Sequence, residues 1–167
     1  METVSLERRL LLMAPVLSAL AARADGGPIN PHETFVLQSN EIQFKTWDGL
    51  PQKSGEMAML YGDPNKPGPY LVMMRWNPGW FSAPHNYGTD RICAVVSGTW
   101  YVNSGSDFTP QQTVPVPAGG FVLRHSRTWH YDGVPADKNE PAVIAVFGMG
   151  PVDIRLSDPG KPSWRRV

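Results

Sequence analysis

From Phe35 onward, apolar and polar positions alternate in short runs. Residues 41–47 (EIQFKTW) set Ile42 and Phe44 against Gln43 and Lys45, the period of two of a strand with one buried face. Residues 57–61 are a short apolar run, stopped by the turn formers of residues 62–69 (GDPNKPGP). Residues 70–76 (YLVMMRW) predict the next strand, closed by Asn77-Pro78-Gly79. Residues 91–102 predict two strand pieces around Ser97-Gly98. Residues 114–116, 120–123, 142–147 and 152–156 complete the set. No segment after residue 25 keeps a helical period over eleven residues. Many short strands at close spacing predict a sandwich or small barrel.

The first 24 residues differ in character. Arg8 and Arg9 precede an uncharged run, residues 10–22 (LLLMAPVLSALAA). At about 1.5 Å per residue such a run spans about 20 Å, short of the roughly 30 Å of a bilayer core. No membrane span is expected. The length fits an export signal, with Ala22-Arg23-Ala24 as a small-x-small cleavage pattern and a weak resemblance to twin-arginine leaders. The mature chain would then begin at Asp25 and be periplasmic or secreted. The alternative is an attached N-terminal helix and a cytoplasmic protein.

Composition narrows the function classes. At 167 residues with 41% hydrophobic side chains, the chain has room for one domain with one core. Fifteen basic and fifteen acidic residues give zero formal charge, which argues against nucleic acid and against a polybasic membrane anchor. A lone cysteine, Cys93, excludes an intramolecular disulfide and Cys-rich zinc sites. Seventeen prolines and sixteen glycines, about a fifth of the chain, suit strands joined by tight turns.

Two stretches concentrate chemistry. The first reads Gly79, five residues, His85, Tyr87, Arg91, Gly98; the second reads Gly119, five residues, His125, Arg127, His130. This spacing resembles the two motifs of the cupin superfamily, and residues 62–70 are similar to single-domain cupins. Tyr87 and Arg91 stand where the family has its second His and its Glu. His125 and Arg127 stand where it has Pro and Gly. The resemblance covers residues 35–154. It implies an all-β, single-domain antiparallel barrel (jelly roll), with residues 1–24 as leader or N-terminal helix and 155–167 as a C-terminal tail. It also implies a homodimer, since cupins commonly pack strand edges or sheet faces together.

In a regular strand His85, Tyr87, Thr89, Arg91 and Cys93 share one face, and Asp90 points outward. Barrel closure is expected to bring His130 opposite His85, in a mouth that holds one small ligand. His85 and His130 are good ligands for one divalent ion of iron, nickel, zinc, manganese or copper. Tyr87 would be the third ligand, as in some cupin lyases, with His125 as another candidate. Arg91 repels a cation, so the site either takes one such ion or none. Trp80 and Trp129 flank the two histidines and are expected to line the pocket, with Arg91 and His125 as further substrate-binding residues. His32 is expected to be exposed.

Three functions follow. One is an enzyme on a small organic molecule, with His85, Tyr87 and His130 as metal ligands or acid–base groups; oxygenation, isomerisation, cyclisation and elimination are all open. Another is a metal-free binding or sensor protein in which Arg91 clamps a carboxylate. The last is a structural barrel. The altered ligand places count against a four-ligand metal oxygenase. The cost of burying polar side chains without a use counts against the structural barrel. The enzyme is the preferred reading.

Overall fold

The computed structural model describes His32 and residues 34–167; the leader expected at residues 1–24 lies outside the described residues. Residues 34–42 belong to one unit and Gln43–Val167 to a second, which carries every described strand. In the first, His32 is exposed. A 3-10 turn, Ser39–Glu41, is closed by Glu41, whose Oε2 accepts the Gln38 backbone N–H at 2.7 Å.

The second unit holds β1 (Lys45–Thr46), β2 (Gly55–Tyr61), β3 (Gly68–Trp76), β4 (Trp80–Ser82), β5 (His85–Tyr87), β6 (Arg91–Ser97) and β7 (Thr99–Ser104). It continues with β8 (Val114–Pro117), β9 (Phe121–Arg124), β10 (His130–Val134), β11 (Ala142–Gly150), β12 (Ile154–Leu156) and β13 (Trp164–Arg166). One sheet runs β1-β2-β3-β11-β6-β9. The other runs β12-β5-β10-β4-β13, with β7 also on β10 and β8 on β7. The strand pairings are antiparallel, as the many short alternating runs require. Residues 155–167, expected as a tail, end in a strand: β13 pairs with β4, and Trp164 packs edge-on against Trp80 at 5.3 Å.

Period two decides what faces inward. On β3, Tyr70, Val72, Met74 and Trp76 are buried while the residues between them are not. The core joins them to Ala142, Ile144 and Val146 of β11, to Cys93 and Val95 of β6, and to Trp100 and Val134 of the other sheet. Register aligns these positions into rows across the sheet. Val72, Val146, Cys93 and Val122 form one apolar row, and the next inward row is Tyr70, Gly148, Arg91 and Arg124. A polar band therefore crosses an otherwise apolar wall. The outer face carries two rows of its own: Leu71, Phe147, Ile92, Leu123, and Met73, Ala145, Ala94, Phe121. Phe121 is 64% exposed and Ile92 47%, so this sheet shows apolar side chains to solvent.

Gly98 links β6 to β7 with φ 69°, and a Cβ there would lie 2.2 Å from the Pro141 carbonyl oxygen. Gly119 has φ 85° but open space around it. Gly119→Ala should cost only the left-handed backbone penalty of about 1–2 kcal/mol. Gly98→Ala should cost clearly more, because a backbone carbonyl must also move. Urea denaturation of the two variants checks the order.

Candidate active site

β5 and β10 place His85 and His130 as direct register partners, with ring centroids 4.4 Å apart. Each ring is steadied by its own chain. His85 Nδ1 lies 2.7 Å from the Ala83 carbonyl oxygen, and His130 Nδ1 lies 2.9 Å from that of Thr128. A carbonyl only accepts, so each Nδ1 keeps its proton and each Nε2 offers a lone pair. Tyr87 completes the aromatic group, 4.9 Å from the His85 ring and 5.6 Å from that of His130. The Arg91 guanidinium lies over the Tyr87 ring, with Cζ 3.2 Å from its centroid. All four line one cavity of about 250 Å³.

Burial sets the protonation states. It pushes the His85 pKa down, helped by Arg91 and Arg124 and opposed by Asp132 and the Ala83 carbonyl. His130 is pulled down to about 2, by burial first and then by His85 and Arg124. Both rings are neutral at pH 7. Burial pushes the Tyr87 phenol up to about 12 against the pull of Arg91, so it holds its proton.

Solved structures share this arrangement of sheets. A polyketide cyclase, RemF from Streptomyces resistomycificus, superposes with a TM-score of 0.63 at 12% identity, covering 78% of this chain and 90% of that one. An RmlC-like cupin from Ralstonia eutropha gives 0.59 at 14% identity, with 78% and 76% covered. A cupin-2 domain from Rhodospirillum rubrum gives 0.55 at 16% identity, with 79% and 85% covered. The chain has the cupin fold. No family model and no curated protein matches its sequence.

Two of the four positions that depart from the cupin pattern, Arg127 and His125, lie outside the cavity. Arg127, in a glycine place, has φ 59°, a left-handed conformation that glycine enters freely. It is held there by its own N–H, which donates to the Tyr87 carbonyl at 2.8 Å, and by its guanidinium on Asp153. His125, in the proline place, does not reach the cavity. It continues the parity of Phe121 and Leu123, which is the exposed face of β9, and its Nδ1 lies 3.8 Å from Asp90. Asp90 points outward as expected, accepting the Ser126 N–H at 2.6 Å. Thr89 is exposed, because the ladder breaks between β5 and β6. Trp80 and Trp129 are half-buried and lie outside the cavity lining: Trp80 packs on Trp164, and the Trp129 carbonyl accepts the Gly105 N–H. The aromatic wall is made instead by Trp47, Trp76 and Trp100.

Two buried charged residues of the cavity escaped the sequence reading, Asp132 and Arg124. Asp132 is buried beside Arg124, with 3.6 Å between Oδ2 and Nη2, and its Oδ1 accepts the Trp100 Nε1–H at 3.2 Å. The signals were present. His130-x-Asp132 and Val122-x-Arg124 are same-face pairs on their strands.

Cupin barrels raise the question of a metal. His85, His130 and Asp132 offer one donor atom each, all within 4.8 Å of one another. Two neutral imidazoles with their Nδ1–H groups tied to carbonyls, plus one carboxylate, fit a divalent transition metal in donor type.

Cys93 lines the same cavity, and burial raises its thiol to about 12 from 9.0. Only the thiolate reacts. Iodoacetamide at pH 8 should therefore alkylate the folded protein about a thousandfold more slowly than the urea-unfolded chain. Mass spectrometry of timed samples measures the two rates.

Proposed function

We propose that this cupin barrel is an enzyme acting on a small organic molecule bound in the cavity, with His85, His130 and Asp132 as ligands for a divalent ion. The observation that carries the reading is the cluster itself: three donors buried at one point of the cavity wall, two of them neutral imidazoles. Deprotonated ligands are what a metal needs. When bound, the ion would supply Lewis acidity to a substrate oxygen. Tyr87 keeps its proton and stands beside both histidines, where it can give that proton to a substrate atom. The groups that face the substrate, His85, Tyr87, His130 and Asp132, are themselves buried. The solved neighbour that is a polyketide cyclase supports chemistry on a small molecule in such a barrel.

A second reading is metal-free ligand binding. It is favoured by Arg91 and Arg124, whose charges oppose a cation at the same place.

Elemental analysis of protein purified without an affinity tag decides between them. Near-stoichiometric iron, nickel, zinc, manganese or copper is expected, lost in His130→Ala together with turnover of small organic acids followed by proton NMR. Protein free of metal that leaves every candidate unchanged would defeat the enzyme.

The outer apolar rows support a homodimer, since a sheet face of this kind is covered most simply by a second copy. Light scattering should give twice the chain mass, and Phe121→Lys should return the monomer.

A further inference from the structure

The polar row on the inner face of the six-stranded sheet sets two arginines directly opposite each other. Arg91 and Arg124 are register partners between β6 and β9, and each is 8% exposed. Both line the cavity. Like charges in directly opposed cross-strand positions repel, and burial removes the water that would screen them.

The surrounding groups do not balance them. Asp132, the only buried carboxylate in the lining among the described residues, lies 3.6 Å from Arg124 and is beyond hydrogen-bond distance. Asp48, exposed at the rim, is the other acid of the lining, and it pairs with neither arginine. Arg124 Nη1 donates to the Asn103 carbonyl at 3.2 Å, but its Nε and Nη2 have no hydrogen-bond partner, and neither has Arg91 Nε. Stacking on Tyr87 occupies the flat face of the Arg91 guanidinium and gives its Nε–H no acceptor. Two buried positive charges against one negative leave a surplus of one. A buried cation of this kind is costly unless something pairs with it.

Part of the wall is apolar. Trp47, Leu50, Met74 and Trp76 line the same space.

We propose that Arg91 and Arg124 together seat the carboxylate of a small monoacid whose body is apolar. The carboxylate lies beside the two guanidinium groups and cancels the surplus charge, and the body lies against the tryptophan wall. This rests on the reading that the cavity holds a small organic molecule. It does not depend on whether a metal or a reaction is present. Guanidinium–carboxylate pairs are charge-assisted and directional, so the two arginines also fix how the acid enters.

The test is equilibrium binding at pH 7 and constant ionic strength, by calorimetry and thermal melting, on the protein as purified and after chelator treatment. The probes are benzoate, its neutral analogue benzamide, and inorganic phosphate. Benzoate should bind both preparations and raise the melting temperature, and benzamide should do neither. Arg91→Met should weaken benzoate at least tenfold, and Arg91→Lys should fall between, because one ammonium cannot fork to two oxygens. Arg91→Met without ligand should melt no lower than the parent, since Arg91 has no acid partner to orphan. Equal binding of benzoate and benzamide, unchanged affinity in Arg91→Met, no benzoate binding, or binding of phosphate alone would each overturn the proposal. An inert protein that still binds benzoate through Arg91 removes the enzyme and keeps the seat. A protein that turns over neutral molecules and ignores benzoate does the opposite.

Discussion

One carboxylate organises the interior of this barrel. Asp132 takes the Trp100 indole N–H from β7, faces Arg124 of β9 at 3.6 Å, and has its own backbone N–H bound by Ser82 of β4 at 3.0 Å. Three strands from the two sheets thus converge on one acid. Removing one partner of a buried pair leaves the other charged and unsolvated, which is why such groups constrain more than they stabilise. His130 stands two residues away on the same strand and His85 across the ladder from it, so both histidines lie beside this fixed point.

The two motifs are also bonded to each other. The loop that leads into His130 is strapped to Tyr87 and the loop that follows it by backbone as well as side chains. The Arg127 N–H binds the Tyr87 carbonyl, Ser126 Oγ donates to the Gly88 carbonyl at 2.8 Å, and the Asp90 carboxylate accepts the Ser126 N–H. Those contacts are exposed, while the residues they position are buried. Asp90 is thus an outward-facing residue whose effect is felt inside.

Strands with one wet face were legible in the sequence; strands buried on both faces were not. β3, β6 and β11 alternate in burial, but their outward positions are apolar too, and what marks them in the sequence is a turn-bounded apolar run. β5 and β10 are buried at every position, so they show no alternation, and these two carry the histidines. Motif spacing found His85, Tyr87, Arg91 and His130 because it does not depend on alternation. It misled at His125, where the motif position lies on the exposed side of β9. Parity extended one residue back, to Arg124, would have found the inward neighbour. Asp132 is the same lesson at i+2 from His130. Thr89 shows the limit of parity, which holds only while the ladder is unbroken.

Gly148 sits between Tyr70 and Arg91 in the polar row, where any Cβ would come within 2.4 Å of the tyrosine oxygen. Trp47 and Trp76, 6.0 Å apart, form part of the wall of the same cavity. Indole emission responds to the polarity and charge around the ring. With Trp100, three of the six tryptophans therefore sit where filling the cavity changes their surroundings. The barrel carries its own optical gauge of occupancy, readable without a label.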